Sequence, residues 1–312
     1  MPVRSSSSYT VYMKIGMIGL GKMGGNMAER LTQGGHQVVG YNKDAVNPER
    51  IKEIGLEMAS SLEDLVKRLP APRTIWIMVP AGQPTQETVD RLAGLLSPGD
   101  AIIDGGNTRF TDDIARAESL KPKGISYMDA GTSGGVWGLK VGYCLMIGGE
   151  PEDFARVEPI FKTLAPPDGY LYCGAAGAGH FVKMVHNGIE YGLMQAYAEG
   201  FEIMQASEHF PGLNLDKIAK LWNQGSVVRS WLLELTALAL EQDPGLEKLK
   251  PWVDDSGEGK WTVEESFATS VPAPVIALSL MMRFRSRQDN SFGARMLAAM
   301  RQQFGGHAVK TK

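Results

Sequence analysis

At residues 14–24 the chain reads KIGMIGLGKMG, a short apolar run that passes without a break into Gly19, Gly21 and Gly24 at GxGxxG spacing. Glycines there permit a tight turn and let a pyrophosphate approach the backbone, where the N-terminus of a following helix favours its charge. The spacing alone also describes an ordinary glycine-rich turn. The flanks separate the two readings: helical GNMAERLTQ follows, then a second β-rich run, HQVVGYN, which is the context of a dinucleotide-binding βαβ unit. Lys22 and Met23 between the glycines, Val79 at the end of RTIWIMVP and Asn107 in DGGNT join the candidate cofactor contacts.

Outward from this motif the pattern repeats. KIGMIGL, HQVVGYN, RTIWIMVP, DAIIDGG, ISYMDAG, YCLMIGG and YLYCG alternate with helical segments up to about Gly174, the signature of a mostly parallel, doubly wound α/β sheet of Rossmann-like type. Beyond Gly179 the strand-like runs stop, and helical patterns fill 179–208, 214–224, 229–242, 272–288 and 291–304. The expected organisation is a flexible leader at 1–12, a dinucleotide-binding domain at 13–178 and an all-helical domain at 179–312 for substrate binding and dimerisation. The interval DPGLEKLKPWVDDSGEGKW between those helices reads as a long loop.

Composition narrows the function classes. Of 312 residues, 32 are Lys or Arg and 35 are Asp or Glu, a net charge of -3 that offers no basic field for nucleic acid. Cys144 and Cys173 stand 29 positions apart without zinc-like spacing, so neither a metal nor a disulfide framework is expected, and a reducing, cytoplasmic setting is. The longest uncharged stretch, 266–282, is broken by Pro272 and Pro274, so no membrane span is expected.

The second strand ends in Asn42, Lys43 and Asp44, where an NAD enzyme usually carries an acid for the adenosine ribose. A carboxylate at Asn42 would oppose a 2′-phosphate by roughly 4 kcal/mol at 4 Å and effective dielectric 20, which an amide does not. With Lys43 adding attraction, the reading leans to NADP; Asp44, as an acid for the ribose, keeps NAD as the alternative. In GHFVKMVHNGIEYG, Lys183, His186, Asn187 and Glu190 fall at i, i+3, i+4 and i+7, one face of a helix carrying a base, a hydrogen-bonding pair and an acid. A solvated charged face is the plain alternative. DGGNT at 104–108 and TSGGVWG at 132–138 each follow a strand of the sheet, where ligands bind, and form a candidate substrate rim.

KMVHNGIEYG, with the GLGxMG start and the SGG element, resembles the 6-phosphogluconate dehydrogenase family within the wider β-hydroxyacid dehydrogenase group; the resemblance covers residues 14–307. It implies Lys183 as general base, Glu190 as general acid and His186 with Asn187 as substrate holders, with Asn107, Ser133, Gly134 and Gly135 at substrate-binding positions. It further implies a phosphate site of Tyr191, Lys260, Thr262 and Arg283. Arg301 and His307 correspond to tail residues supplied by the neighbouring subunit of a homodimer or homotetramer. The chain has no room for the duplicated helical unit of the long members and lacks their NRT-type cofactor motif, so it resembles a short-chain member. The implied reaction is oxidative decarboxylation of 6-phosphogluconate with reduction of NAD(P). A 3-hydroxyacid dehydrogenase that does not decarboxylate and a non-catalytic nucleotide sensor on the same scaffold are the alternatives.

Overall fold

The computed structural model describes residues 12–310. The expected leader lies outside the described residues except for Tyr12, whose ring meets His36 edge-on at 6.3 Å between centroids. Contacts divide the chain into two units that meet within one helix, between His186 and Asn187.

The first unit is built on eight strands: β1 (Lys14–Ile18), β2 (Gln37–Tyr41), β3 (Glu57–Met58), β4 (Thr74–Ile77), β5 (Ala101–Asp104), β6 (Ser126–Ser133), β7 (Cys144–Gly148) and β8 (Tyr170–Gly174). Between them run α1 (Lys22–Gln33), α2 (Pro48–Glu53), α3 (Leu62–Arg68), α4 (Gln83–Ala93), α5 (Phe110–Leu120), α6 (Gly138–Val141) and α7 (Pro151–Leu164). The strand order is β3-β2-β1-β4-β5-β6-β7-β8. All pairs are parallel except β6 with β7, where Asp129 faces Gly148 and Ser133 faces Cys144.

The strands are mostly apolar because the sheet is covered on both faces. Side chains alternate from face to face: Met17, Trp76, Ile103 and Met128 pack with Met27 and Leu31 of α1 and Ile160 and Phe161 of α7. Ile18, Ile77, Ile102 and Tyr127 pack on the other face with Leu65 of α3, Val89 and Leu92 of α4 and Leu120 of α5. Chain order reverses between β1 and β4, and a crevice opens at such a switch point beyond the carboxyl ends of the strands.

The helix shared by the two units is α8 (Ala178–Gln205), and the second unit continues with α9 (Leu215–Trp222), α10 (Trp231–Gln242), α11 (Glu258–Ala268), α12 (Pro274–Ser286) and α13 (Phe292–Gly305). Phe201, Ala219, Leu233, Ala237 and Leu240 make its small core. α11 corrects the expected loop, because DPGLEKLKPWVDDSGEGKW is already helical from Glu258. Its buried residues are Glu258, Gly259 and Thr262, which give no apolar stripe to read. The helix docks through small groups instead: a Cβ on Gly188 would lie 2.7 Å from the Thr262 methyl, and one on Gly259 would lie 2.4 Å from the Tyr191 ring. No helix among the described residues is long and apolar enough to cross a membrane.

Candidate active site

The crevice beside β1 and β4 is a cleft of about 1090 Å³. Gly19, Gly21, Lys22, Met23, Gly24, Asn42, Lys43, Asp44, Val79 and Asn107 all line it, so the structure brings together every residue expected to meet the cofactor. The glycines divide by role. A Cβ on Gly24 would lie 1.9 Å from the Gly19 carbonyl oxygen, and one on Gly19, which has φ of 89°, would lie 2.3 Å from the Met78 oxygen. At Gly21 a Cβ would meet no protein atom within 4 Å, so smallness there serves the cleft rather than the packing. Gly21 is also the N-cap of α1 and offers no side-chain cap, and first-turn N–H groups without such a cap suit an anion.

Asn42 does more than leave a carboxylate out. Its Oδ1 accepts from the Leu20 N–H at 2.7 Å, and its Nδ2 donates to the Asp44 carbonyl at 2.9 Å, so the amide staples the glycine loop to the end of β2. Lys43 and Asp44 are exposed beside it. Arg50, which the sequence reading did not single out, also lines the cleft, donates to Asn26 at 2.6 Å and lies 3.6 Å from Glu29.

α8 carries Lys183, His186, Asn187 and Glu190 on one unbroken helix, at the spacing that puts them on one face. Lys183 is buried at 6% exposure, and its Nζ lies 3.5 Å from His186 Nδ1. The helix sits directly on the sheet: a Cβ on Gly131 of β6 would fall 2.5 Å from Lys183 Cβ, and one on Gly179 would fall 2.3 Å from the Met146 oxygen. Its first turn is seated by Asp129, whose two oxygens accept from the Gly177 and His180 N–H groups at 2.6 and 2.7 Å. His180 Nδ1 in turn meets Asp113 at 2.7 Å. Asp113, Asp129 and His180 bring one ligating atom each within 4.8 Å of one another, as a metal site would, but the fold already uses these atoms for hydrogen bonds.

The rim loops follow from buried anchors. Asp104 closes β5, and its carboxylate accepts from the Gly106 N–H at 3.0 Å and the Thr108 hydroxyl at 2.8 Å, which leaves Asn107 exposed at the tip. Ser133 ends β6, and Gly134 and Gly135, at φ of 130° and 52°, turn the chain in a way open to glycine.

In the second unit Tyr191, Lys260 and Arg283 come together around one acidic loop, and Thr262 packs against Gly188 of α8. The Arg283 guanidinium stacks 3.5 Å over the Tyr191 ring and donates to the Asp254 carbonyl at 2.7 Å. Lys260 lies 3.3 Å from Asp255, and Arg287 donates to the same carboxylate at 2.9 Å. Burial pushes Asp255 upward, but the hydrogen bonds from Arg287 and Lys260 outweigh it and hold the carboxyl below its ordinary range. Asp255 and Arg287 were not among the expected site residues. Thr262 is buried and donates to the Glu258 carbonyl at 2.9 Å. Arg301 is exposed on α13, makes no hydrogen bond or ion pair among the described residues, and does not join this cluster within its own chain; His307 folds back over Gly305.

Residues 14–177 match the model of the NAD binding domain of 6-phosphogluconate dehydrogenase, and residues 179–311 match that of the 6-phosphogluconate dehydrogenase C-terminal domain. The chain belongs to the 6-phosphogluconate dehydrogenase family. It is 46% identical over 300 residues to a Bacillus subtilis protein provisionally named 6-phosphogluconate dehydrogenase, covering 96% of this chain and 100% of that one. It is 42% identical over 302 residues to the NAD(+)-dependent, decarboxylating 6-phosphogluconate dehydrogenase of Haloferax volcanii, covering 96% and 99%. Among solved structures it is similar to Plasmodium falciparum 6-phosphogluconate dehydrogenase, described in apo form, with NADP+ and with 6-phosphogluconate, at TM-score 0.80 and 28% identity over 96% of this chain and 66% of that one.

The glycine loop yields a paired expectation. Gly21→Ala keeps stability close to that of the parent but weakens NAD(P) binding at least ~10-fold, about 1.4 kcal/mol. Gly24→Ala overpacks the loop and lowers unfolding free energy by about 1–3 kcal/mol. Calorimetric titration and denaturant unfolding of both variants check this, and a Gly21→Ala protein with undiminished cofactor affinity contradicts the division of roles.

Proposed function

We propose that the chain oxidatively decarboxylates 6-phosphogluconate to ribulose 5-phosphate and CO2 while reducing NAD(P). The observation that carries this reading is the α8 face: a buried lysine seated on β6, with a histidine, an asparagine and a carboxyl following on the same helix. When bound, the nicotinamide accepts the hydride leaving C3 of the sugar acid. Neutral Lys183 takes the proton of the C3 hydroxyl, so that the C3 carbonyl forms as the hydride departs. The bond between C1 and C2 then breaks, CO2 leaves, and the electron pair passes through C2 to the C3 oxygen, which Lys183 reprotonates. Glu190 in its acid form delivers a proton to the carbon that becomes C1 of the product, while Lys183 takes back the proton of the neighbouring hydroxyl so that the ketone forms. His186 and Asn187 hold the hydroxyls, with Asn107, Ser133, Gly134 and Gly135 on the same substrate. The phosphate goes to Tyr191, Lys260, Thr262 and Arg283, where guanidinium and ammonium groups suit a dianion.

For the adenosine ribose the reading turns on charge. Arg50 has Glu29 beside it, and Lys43 stands next to Asp44, so the cations of this corner are matched by acids rather than gathered into an anion cage. The amide of Asn42 is engaged in holding the loop. We therefore favour NAD over the NADP suggested by Asn42 and Lys43 alone, and the NAD(+)-dependent name of the Haloferax volcanii relative supports it. The assembly is a homo-oligomer in which Arg301 and His307 complete the neighbouring site; exposed Leu278, Met281, Phe292, Leu297 and Met300 on α12 and α13 offer apolar surface for a second copy.

Three measurements test these readings. Lys183→Ala lowers kcat by about 10²–10⁴-fold, whereas Glu190→Gln keeps a first turnover of NAD(P)H and slows ketose formation; a Lys183→Ala enzyme of normal rate refutes the assignment. Steady-state comparison gives kcat/KM for NAD above that for NADP, and Asp44→Ala narrows the ratio; a parent that prefers NADP restores the reading from Asn42 and Lys43. Mixing inactive Lys183→Ala and Arg301→Ala subunits regains activity through a mixed dimer, and verified exchange without recovery rules out the shared site.

A further inference from the structure

Beneath the first turn of α8 the fold buries charges that none of these proton transfers uses. Asp104 on β5, Asp113 on α5 and Asp129 on β6 are each 0% exposed, and the cations Arg116 on α5 and His180 on α8, which meet them, are 3% and 2% exposed. Arg116 Nη1 lies 3.5 Å from Asp104 and 3.8 Å from Asp113, and Tyr127 Oη lies 3.1 and 2.8 Å from the same two carboxylates. Asp129 has a different answer to its charge, because it caps the helix N-terminus through the Gly177 and His180 N–H groups. Asp104 and Asp113 are met by Arg116, and Asp113 also by His180. Lys183 stands one turn further along the same helix, buried and pressed on Gly131, two residues after Asp129. A lysine above an unanswered carboxylate keeps its proton and cannot act as a base.

We propose that His180 is a positioning residue whose imidazolium cancels the charge of Asp113 beneath Lys183, which lets Lys183 give up its proton and serve as the base. The inference rests on the reading of Lys183 as base. Every titratable group facing His180 belongs to this balance: Asp104 from β5, Asp113 and Arg116 from α5, Tyr127 and Asp129 from β6, and Lys183 on its own helix. Burial alone drives an imidazole toward neutrality, but the charge and hydrogen bond of Asp113, with Asp104 and Asp129 behind it, pull His180 above its ordinary range. Its Nε2 is buried without a hydrogen-bond partner among the described residues, so the field of the carboxylates is what holds a proton there.

The test separates charge from shape. His180→Asn keeps an N–H for Asp113 and removes the positive charge. The acid limb of the kcat/KM profile, where Lys183 must lose its proton, moves up by about one pH unit, a ~10-fold loss below the limb that fades above it. Tyr127→Phe removes hydrogen bonds without altering the charge count, and leaves the limb in place. A His180→Asn limb that stays put in an otherwise active enzyme, an equal loss at every pH, or an equal shift in Tyr127→Phe overturns the proposal. Nitrogen NMR of histidine-labelled parent protein reads the ring directly and needs neither folding of a variant nor turnover. An imidazolium at neutral pH supports the proposal, and a neutral ring overturns it. Absence of 6-phosphogluconate turnover by the parent refutes the assigned reaction instead, and the NMR result stands apart from it.

Discussion

The Asp129 carboxylate fixes where the catalytic helix begins. Its two oxygens take the Gly177 and His180 N–H groups, donors that no earlier turn of α8 can satisfy. Hydrogen bonds to an ionised group contribute about 1.5–3 kcal/mol each, and a buried carboxylate without them would be strongly unfavourable. The same strand continues to Ser133, four residues on, so one side chain ties the start of the helix to the strand that delivers the SGG turn. Glycines make the contact close: Gly131, Gly148 and Gly179 each occupy a place where a Cβ would come within 3 Å of the facing element.

The single antiparallel pair in the sheet gives this seating its direction. Because β7 runs back along β6 and β8 follows β7 in parallel, the chain leaves β8 near Gly148, opposite Asp129, which lies level with Asp104, Ile77 and Ile18 at the carboxyl ends of β5, β4 and β1. α8 then advances with β6: Gly179 lies against Asp129 and Lys183 lies against Gly131. Four helical residues rise about 6 Å, and two strand residues rise about 6.6 Å, so helix and strand keep pace. The start of the catalytic face is thereby carried toward the end of the sheet where βα loops gather ligands.

What could be read in the sequence depended on whether local chemistry alone required it. Gly19, Gly21 and Gly24 were legible because a strand, a tight turn and a helix each leave their own mark, and the α8 stripe was legible because 3.6-residue periodicity places Lys183, His186, Asn187 and Glu190 together. β3 has only two residues and no period to detect. α11 was hidden because Gly259 and Thr262 pack by smallness, and a hydrophobic pattern does not register an absent side chain. His180, Asp113 and Asp129 were hidden for another reason: they are 51 and 67 positions apart or nearly so, and only the fold brings them together. The place where buried charge is unusual in a sequence, an aspartate inside the apolar run ISYMDAG, was the one available signal.

The acidic loop of the second unit shows how a carboxylate can order a cluster of cations. Lys260 and Arg287 are long side chains that lose considerable rotamer freedom when fixed, and Asp255, 2% exposed in its side chain, holds both. Arg283 is fixed separately by the Tyr191 face and the Asp254 carbonyl. These three cations stand against Asp255 and the exposed Asp254, whose carboxylate lies 4.0 Å from Arg287, and the fold itself orders them. Preorganised donors lose less entropy on binding than mobile ones, so a carboxylate that subtracts one charge can still favour the capture of a dianion. Tyr191 links that corner to α8, where it follows Glu190, and its hydroxyl accepts from the Ser256 N–H at 3.1 Å. The helix that carries Glu190 therefore also fixes the loop that orders Lys260, Arg283 and Arg287.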